Sequence, residues 1–130
     1  MNVLVTGANG FIGKNLVVRL NELGMHTVPY TRENSIQDLP DMVKKVDFII
    51  HLAGENRPAD EKDFDIVNAG LTSSICDVVR SSGKNTPIIL ASSTQAELDN
   101  AYGKSKLDAE VAVKALEIDT GCPVHVYRLP

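Results

Sequence analysis

The sequence contains no tryptophan and only two cysteines, and aromatic side chains make up 5% of its 130 residues. Cys76 and Cys122 lie in unrelated contexts and predict no disulfide framework; we expect Cys76 in the core and Cys122 exposed beside Pro123. No apolar run approaches the ~18 residues that cross a bilayer, and the opening residues lack the charged and apolar regions of a signal peptide. These absences predict a soluble, reduced, cytoplasmic protein that does not bind membranes.

A small excess of acidic residues argues against a nucleic-acid partner. The chain has 13 Lys and Arg against 17 Asp and Glu, a net charge of −4, and Lys44-Lys45 is its only adjacent basic pair. His26, His51 and His125 are scattered, and with the two cysteines they show no metal-ligand spacing, so we predict no metal site. The length suits a single domain.

Short apolar runs alternate with helical periodicities along the whole chain. The runs predicted to be strands are Met1–Thr6, His26–Thr31, Val46–Ala53, Pro87–Ala91 and Val124–Leu129. The predicted helices are Phe11–Leu23, Asp38–Lys45, Asp63–Ser82 and Ala101–Asp119, the last with Leu107, Val111, Ala115 and Ile118 on one face. Pro29 weakens the second strand, because proline cannot donate to a ladder. The alternation predicts a doubly wound α/β domain, with a parallel sheet and helices on both faces.

A glycine-rich loop follows the first predicted strand and opens the first helix. Gly7, Gly10 and Gly13 form the pattern G-x-x-G-x-x-G within TGANGFIG. In this setting the first glycine makes the tight turn, the second lets the backbone approach a pyrophosphate, and the third lets the helix lie close to the strand. The helix N-terminus then offers free N–H groups to phosphates. The loop predicts a dinucleotide site; a purely structural turn is the alternative.

The end of the second predicted strand indicates which dinucleotide binds. An NAD-preferring site usually has Asp or Glu here to hold the ribose 2′-hydroxyl, whereas this segment reads PYTR, with no acid before Glu33. The guanidinium of Arg32 suits a 2′-phosphate, because it can pair bidentately with phosphate oxygens. The alternatives are a solvated Arg32, or a ribose contact from Glu33 if the register slips. The pattern favours NADP over NAD.

Tyr102 and Lys106 lie four residues apart, on one face of the last predicted helix. A nearby ammonium lowers the pKa of a phenol, so that the phenol can exchange a proton with a carbonyl or carbinol oxygen. Ser92, Ser93 and Thr94 end the preceding strand, at the edge where open α/β sheets bind ligands. Together with the glycine loop, these residues predict a catalytic site beside the dinucleotide.

Several segments resemble the extended short-chain dehydrogenase/reductase superfamily. They are TGANGFIG, DFIIHLAG, FDIVNAGLTSSI, ILASST and YGKSK, in order along essentially the whole chain. HLAGENRP and SSTQAELDNAYGKSKLDAE are similar, more narrowly, to bifunctional bacterial capsular-polysaccharide enzymes acting on UDP-2-acetamido-2,6-dideoxy-hexoses. In that group an N-terminal reductase domain is joined to a C-terminal cupin domain with 3-epimerase activity. The resemblance implies NADPH-dependent reduction of a 4-keto UDP-sugar towards UDP-N-acetyl-L-fucosamine.

The resemblance also implies roles for individual residues. Tyr102 is the implied general acid, and Lys106 lowers its pKa and holds the nicotinamide ribose. The hydroxyl that polarises the C4 carbonyl is implied to be the last of its cluster, Thr94, with Ser93 as the fallback. The cofactor-binding residues are then Gly7, Gly10, Phe11, Ile12, Gly13, Arg32, Leu52, Ala53, Gly54 and Lys106.

The chain departs from the family pattern between its hydroxyl cluster and Tyr102. Tyr102 follows Thr94 by only eight positions, so the usual intervening loop is absent. Gln95 and Ala96 stand where the 4,6-dehydratases place an Asp-Glu pair, which disfavours dehydration. Reduction is the favoured activity, with an NAD-retaining 4-epimerase or a non-catalytic NADP-sensing protein as alternatives.

The family implies a second half that binds the sugar nucleotide. We therefore expect residues 1–130 to be a dinucleotide-binding domain fragment, truncated before the substrate lobe and a possible cupin domain. On this expectation the chain folds but does not turn over alone, and the full-length protein is a homodimer that binds a UDP-sugar.

Overall fold

The structure, a computed structural model, describes residues 1–53 and 70–130. The strands are β1 (Asn2–Thr6), β2 (His26–Tyr30), β3 (Phe48–His51), β4 (Ile88–Ser93) and β5 (Val124–Leu129). The helices are α1 (Phe11–Glu22), α2 (Leu39–Lys44), α3 (Leu71–Ser82) and α4 (Ala101–Thr120), and 3₁₀ turns cover Ile36–Asp38 and Thr94–Glu97. These elements follow the predicted order; the first part of the predicted helix Asp63–Ser82 lies outside the described residues.

The described strands form one parallel sheet in the order β2-β1-β3-β4-β5. The chain runs from β1 outwards to β2 and then crosses to β3 on the other side of β1. The order therefore reverses between β1 and β3, and in open α/β sheets ligands bind at the carboxyl ends of the strands at such a point. Pro29 lies in β2, which is an edge strand, where a missing N–H donor costs least.

Successive side chains of β1 point to opposite faces of the sheet and divide the core in two. Val3 and Val5 pack with α1 on one face. Leu4 packs on the other face with Ile75 of α3 and Leu116 of α4. Helices cover both faces, which confirms the doubly wound α/β domain.

The first half of helix α4 presents small and polar side chains to the sheet, and the predicted apolar stripe faces largely outwards. Its buried residues are Gly103, Ser105, Lys106, Ala109, Glu110, Val113 and Leu116. Leu107, Val111 and Ile118 instead face outwards, with exposed fractions of 41%, 59% and 82%. The first half of α4 crosses the polar end of β4, where short or hydrogen-bonding side chains fit and a row of large apolar ones does not.

Both cysteines are free thiols, and both are buried. Cys76 lies in the core, as predicted. The expectation that Cys122 is exposed is wrong: its side chain is fully buried, and its thiol donates to the carbonyl of Thr86 at 3.1 Å. Gly121 ends α4 with a φ of 75°, and the chain then turns back so that Cys122 packs against the core.

A buried polar network joins the carboxyl ends of β1 and β3. Thr6 Oγ1 accepts hydrogen bonds from the backbone N–H groups of Leu52 and Ala53, each at 3.0 Å, which occupies both of its lone pairs. The hydroxyl proton of Thr6 is therefore donated to Nδ1 of His51, 2.6 Å away. His51 must then carry its own proton on Nε2, which lies 2.8 Å from Oγ1 of Thr72. The network fixes one neutral tautomer of His51.

The buried network makes the stability of the fold sensitive to acid. Burial lowers the pKa of His51 from 6.5 to about 3, and the positive charge of Lys106 adds to this lowering. Below pH 6.5 the unfolded chain binds a proton that the folded chain does not take up until about pH 3. We predict that His51 lowers the free energy of unfolding by up to ~1.4 kcal/mol per unit of falling pH in that window, and not above it.

Denaturant unfolding across the same pH range tests this prediction. His51→Asn should be less stable than the wild type at neutral pH, because the network is broken, and should lose the acid-dependent slope that His51 contributes. His125→Asn, which changes an exposed histidine of β5, is the matched control and should keep the wild-type slope. Identical slopes for the wild type and His51→Asn would contradict the assignment.

Candidate active site

The glycine loop lies directly on the end of β3, without room for side chains between them. Gly7 leaves β1 with a φ of +66°, and a Cβ built on it would be 2.9 Å from the backbone nitrogen of Ala53. A Cβ on Gly13 would be 2.0 Å from the carbonyl oxygen of Gly7. Only glycine permits both contacts, and together they place the start of α1 at the carboxyl edge of the sheet.

The first turn of α1 leaves its backbone N–H groups open towards this edge. Gly10 is the N-cap residue, no side chain in the described residues caps the helix, and its first turn holds no acidic residue. The unpaired N–H groups and the helix dipole make such a start attractive to an anion. The arrangement fits a pyrophosphate group.

A cavity of about 360 Å³ opens at the carboxyl ends of the strands, next to the start of α1. This volume lies in the usual range for small-molecule sites. The cavity is lined by Gly7, Gly10, Phe11, Ile12, Gly13, Leu52, Ala91, Ser92, Ser93, Tyr102, Lys106, Leu129 and Pro130. It brings the glycine loop together with the Tyr102–Lys106 pair.

Some of the predicted cofactor residues lie outside this cavity. Ala53 lies beneath Gly7, with its N–H bonded to Thr6. Arg32 is exposed in the turn after β2, the strand next to β1 at the same edge of the sheet. Gly54 lies outside the described residues.

Three lining residues were not among the predicted site residues. Ala91 belongs to the end of β4, and Leu129 and Pro130 lie at the end of β5. The available signal was the topology itself, because the carboxyl ends of parallel strands meet at one edge.

The structure brings Ser93, and not Thr94, next to Tyr102. The side chains of Ser93 and Tyr102 are hydrogen-bonded. Ser93 is buried and lines the cavity, whereas Thr94 is exposed and does not line it. The difference arises because β4 ends at Ser93 and Thr94 already begins the 3₁₀ turn, which points its side chain elsewhere. Of the two candidate hydroxyls, the fallback Ser93 is thus the one that lines the cavity beside Tyr102.

The surroundings of Tyr102 raise the pKa of its phenol overall. Burial raises the pKa of its phenol, and the hydrogen bond to Ser93 only partly offsets that effect. Lys106 is not among the causes of this pKa shift in the chain alone, and its predicted effect on the phenol stays a prediction. Lys106 Nζ lies 5.7 Å from the centre of the Tyr102 ring, beside the ring rather than at the hydroxyl.

Lys106 is a buried cation that faces the cavity. Its exposed fraction is 6%, and burial lowers its pKa. Within the described residues its ammonium forms no hydrogen bond or ion pair, although a buried ammonium has three donors to satisfy. A polar ligand in the cavity, such as a ribose diol, would supply the missing acceptors.

The short segment between Ser93 and Tyr102 packs against α4 at Gly103. A Cβ on Gly103 would be 1.9 Å from the carbonyl oxygen of Gln95, so the 3₁₀ turn rests directly on the start of α4. The side chain of Asn100 caps the helix by accepting the N–H of Gly103 at 2.7 Å. This contact holds Ser93 and Tyr102 together without the longer loop of the superfamily.

Residues 1–53 and 70–130 contain neither a metal-binding cluster nor a membrane-spanning helix. No group of three or more His, Cys, Asp or Glu residues there is arranged to hold a metal ion. No helix in those ranges is long and apolar enough to span a membrane.

Comparison with known proteins gives a consistent picture. The chain is 52% identical, along its whole length, to UDP-2-acetamido-2,6-beta-L-arabino-hexul-4-ose reductase of Pseudomonas aeruginosa, and it covers 35% of that protein. Its fold matches the capsular polysaccharide assembling protein CapF of Staphylococcus aureus with a TM-score of 0.84 and 38% identity, over the whole chain and 36% of CapF. It thus spans about a third of the length of these relatives.

A more distant match and a family model complete the comparison. MoeE5, solved with UDP-glucose and NAD, matches with a TM-score of 0.83 and 25% identity, over 97% of this chain and 52% of MoeE5. The sequence model of the NAD dependent epimerase/dehydratase family matches residues 3–130. The glycine loop and the Tyr102–Lys106 pair, at the edge of a parallel sheet, agree with this match. The chain therefore belongs to the NAD dependent epimerase/dehydratase family.

Proposed function

We propose that this chain forms the cofactor-binding and proton-donating part of an NADPH-dependent UDP-sugar 4-reductase. The substrate is the 4-keto group of a UDP-2-acetamido-2,6-dideoxy-hexulose, on the route to UDP-N-acetyl-L-fucosamine for capsular polysaccharide. The name and 52% identity of the Pseudomonas relative support the substrate class. The observation that carries the proposal is one cavity that joins the open start of α1 to Ser93, Tyr102 and Lys106.

We assign the sugar-binding part of the proposed reductase to the rest of the full-length protein. The matched reductase is almost three times as long as the chain, so we place the sugar-binding lobe, and a possible cupin domain, outside residues 1–130. The chain alone then lacks a substrate site and does not turn over. NADPH chemistry and two free thiols suit the cytoplasm.

In the proposed reaction the protein moves one proton and holds the reacting carbonyl. A bound reduced nicotinamide supplies the hydride that reaches C4 of the sugar. Tyr102 donates its phenolic proton to the C4 oxygen, which becomes a hydroxyl, and Ser93 donates a hydrogen bond to the same oxygen. The ammonium of Lys106 holds the nicotinamide ribose and stabilises the tyrosinate left behind.

The cofactor's two charged regions would meet two different parts of the chain. The N–H groups at the start of α1 take the pyrophosphate, and Gly7, Gly10 and Gly13 let it approach the backbone. Those contacts cannot distinguish NADP from NAD, because both cofactors share the pyrophosphate. Arg32, beyond the end of β2, is the residue we assign to the 2′-phosphate.

We also propose that the full-length protein is a homodimer that uses the outer face of α4. Leu107, Val111 and Ile118 are exposed along one side of this long helix, which a monomer would leave in water. A two-fold axis would place the same stripe of a second copy against it. Lys114 lies between these residues on the same side, and its long side chain would have to carry the ammonium to the rim of the contact.

The first prediction from the proposed function concerns the proton donor. In the full-length protein, Tyr102→Phe should lower kcat by ~10²–10⁴-fold, because the general acid is lost, with nearly unchanged NADPH affinity. Ser93→Ala should lower kcat by ~10²-fold through loss of the carbonyl donor. The measurements are steady-state kinetics with a 4-keto UDP-sugar and a cofactor titration.

Matched variants decide whether these effects belong to the site. Tyr127→Phe changes an exposed tyrosine outside the cavity, and Thr94→Ala changes the hydroxyl directly after Ser93. Both should turn over at close to the wild-type rate. A Thr94→Ala variant as slow as Ser93→Ala would return the carbonyl-binding role to Thr94, and near-normal turnover of Tyr102→Phe would remove the tyrosine from the mechanism.

The second prediction concerns the choice of cofactor. A charge-assisted hydrogen bond contributes ~1.5–3 kcal/mol, and 1.4 kcal/mol corresponds to tenfold in affinity. Arg32→Ala should therefore weaken NADPH by ~10- to 100-fold and leave NADH almost unchanged, and the loss should shrink at high salt because exposed charges are screened. Arg19→Ala, which removes an exposed arginine near the other end of α1, should affect neither cofactor. Equal weakening of NADPH and NADH would make Arg32 a structural residue.

The third prediction concerns the dimer. Val111→Asp places a charge in the outer stripe of α4 and should shift the full-length protein towards monomer in sedimentation experiments at low micromolar concentration. Val18→Asp is the matched control, since Val18 is 58% exposed on α1 and Val111 is 59% exposed. A dimer that is unaffected by Val111→Asp must use another surface.

A further inference from the structure

The far wall of the cavity depends on a buried carboxylate, that of Glu110. Its exposed fraction is 1%, and it lies two helical turns after Tyr102 on α4. Oε2 accepts hydrogen bonds from Ser92 Oγ at 2.6 Å and from Arg128 Nε at 2.9 Å, and Oε1 accepts from Arg128 Nη2 at 2.9 Å. The carboxylate thereby ties α4 to the ends of β4 and β5.

Arg128 extends this contact to a third segment. Its remaining nitrogen, Nη1, donates to Oε1 of Glu97 at 3.0 Å. Glu97 ends the 3₁₀ turn that connects Ser93 to the start of α4. One guanidinium therefore joins β5, α4 and that turn, and its planar fork fixes the angle at which they meet.

The three segments carry the groups that surround Tyr102. Ser92 directly precedes Ser93, which is hydrogen-bonded to Tyr102. Arg128 directly precedes Leu129 and Pro130, which line the cavity opposite the glycine loop. A change in the Glu110–Arg128 contact would move Ser93 and this wall together.

The glycine loop is held by other contacts. It rests on the end of β3, and β1 and β3 are tied by Thr6 and His51, none of which bonds to Glu110 or Arg128. The two ends of the cavity are thus supported separately. Damage to one support should leave the other end able to bind its part of a ligand.

We propose that Glu110 and Arg128 are positioning residues that set the nicotinamide end of the cavity, holding Ser93 and the Leu129–Pro130 wall in register with Tyr102. The proposal rests on the proposed function for the identity of the ligand at that end. It assigns no proton transfer to either residue. The ionised carboxylate of Glu110 accepts three hydrogen bonds, from Ser92 and from two nitrogens of Arg128. With fewer hydrogen bonds the segments that carry these residues could shift relative to one another.

The first test, in the full-length protein, compares the binding of NADPH with the binding of an analogue that lacks the nicotinamide end. Arg128→Met should lower kcat by ~10²-fold and weaken NADPH, because a shift of about 1 Å at the reacting end has that effect. ADP-ribose 2′-phosphate, which lacks the nicotinamide, should bind as it does to the wild type. Arg128→Lys keeps the charge but not the fork and should remain impaired. Equal weakening of the two ligands would overturn the proposal in favour of general destabilisation.

Arg80 provides a matched control on the outside of the fold. It also bridges two carboxylates, those of Asp77 and Asp119, with side-chain exposure of 34% against 32% for Arg128. Arg80→Met removes an arginine of similar exposure that bridges α3 and α4 away from the cavity, through exposed carboxylates rather than a buried one. It should leave kcat and both affinities at wild-type values, and a loss equal to that of Arg128→Met would overturn the proposal.

A double variant covers the case in which Arg128→Met folds poorly because Glu110 is left charged and unpaired. Glu110→Met/Arg128→Met replaces the pair with apolar side chains, an exchange that is often neutral or stabilising. We expect it to recover thermal stability without recovering kcat, since the fork that sets the geometry is gone. Full recovery of kcat would show that only charge balance matters and would overturn the proposal.

Hydrogen exchange gives a readout that does not depend on the cofactor. In Arg128→Met, exchange should rise in residues 93–102 and 126–130 and stay unchanged in the glycine loop, residues 7–13. A uniform rise, or none, would overturn the positioning role. If the wild type binds neither ligand, the proposed function fails, while the exchange data still decide whether Arg128 holds these segments.

Discussion

Backbone segments at the carboxyl edge of the sheet approach one another more closely than a side chain allows, and the site depends on these contacts. Gly7 lies against the backbone of Ala53, Gly13 lies against the carbonyl of Gly7, and Gly103 lies against the carbonyl of Gln95. Each contact is open only to glycine, because an added Cβ would come within 3 Å of another backbone atom. Three chain turns therefore meet around one cavity.

Different physical means hold the two ends of that cavity. Neutral hydrogen bonds through Thr6 and His51 support the glycine end, where a second positive charge beside Lys106 would be unfavourable. Paired charges support the other end. Burial alone would raise the pKa of Glu110, but hydrogen bonds from Arg128 and Ser92, with the positive charge of Arg128, lower it overall. Acid therefore weakens both supports, one by protonating His51 and the other by protonating Glu110.

The fold could be predicted from the sequence because the patterns that indicate it are local. Continuous apolar runs marked the buried strands, and the glycine loop and the Tyr102–Lys106 spacing could be identified without any knowledge of distant contacts. Other features depend on where elements end and how they pack. Ser93 rather than Thr94 lines the cavity because β4 stops there, and Cys122 is buried because the chain turns back after Gly121. Arg128 and Glu110 are 18 residues apart on different elements, so no sequence spacing predicts their contact.

A phenol that stays protonated suits the proposed reduction of a carbonyl group. A phenol whose pKa is raised by burial stays protonated and can give its proton to a carbonyl oxygen, whereas an oxidising first step needs the tyrosinate as a base. Elimination of water needs a further acid and base on the sugar. The residues after Ser93 offer neither, because Thr94 and Gln95 are uncharged and Glu97 is bonded to Arg128. Among the described residues the cavity is lined by the phenol of Tyr102, the hydroxyls of Ser92 and Ser93 and the ammonium of Lys106, and this set suits proton delivery to a carbonyl oxygen.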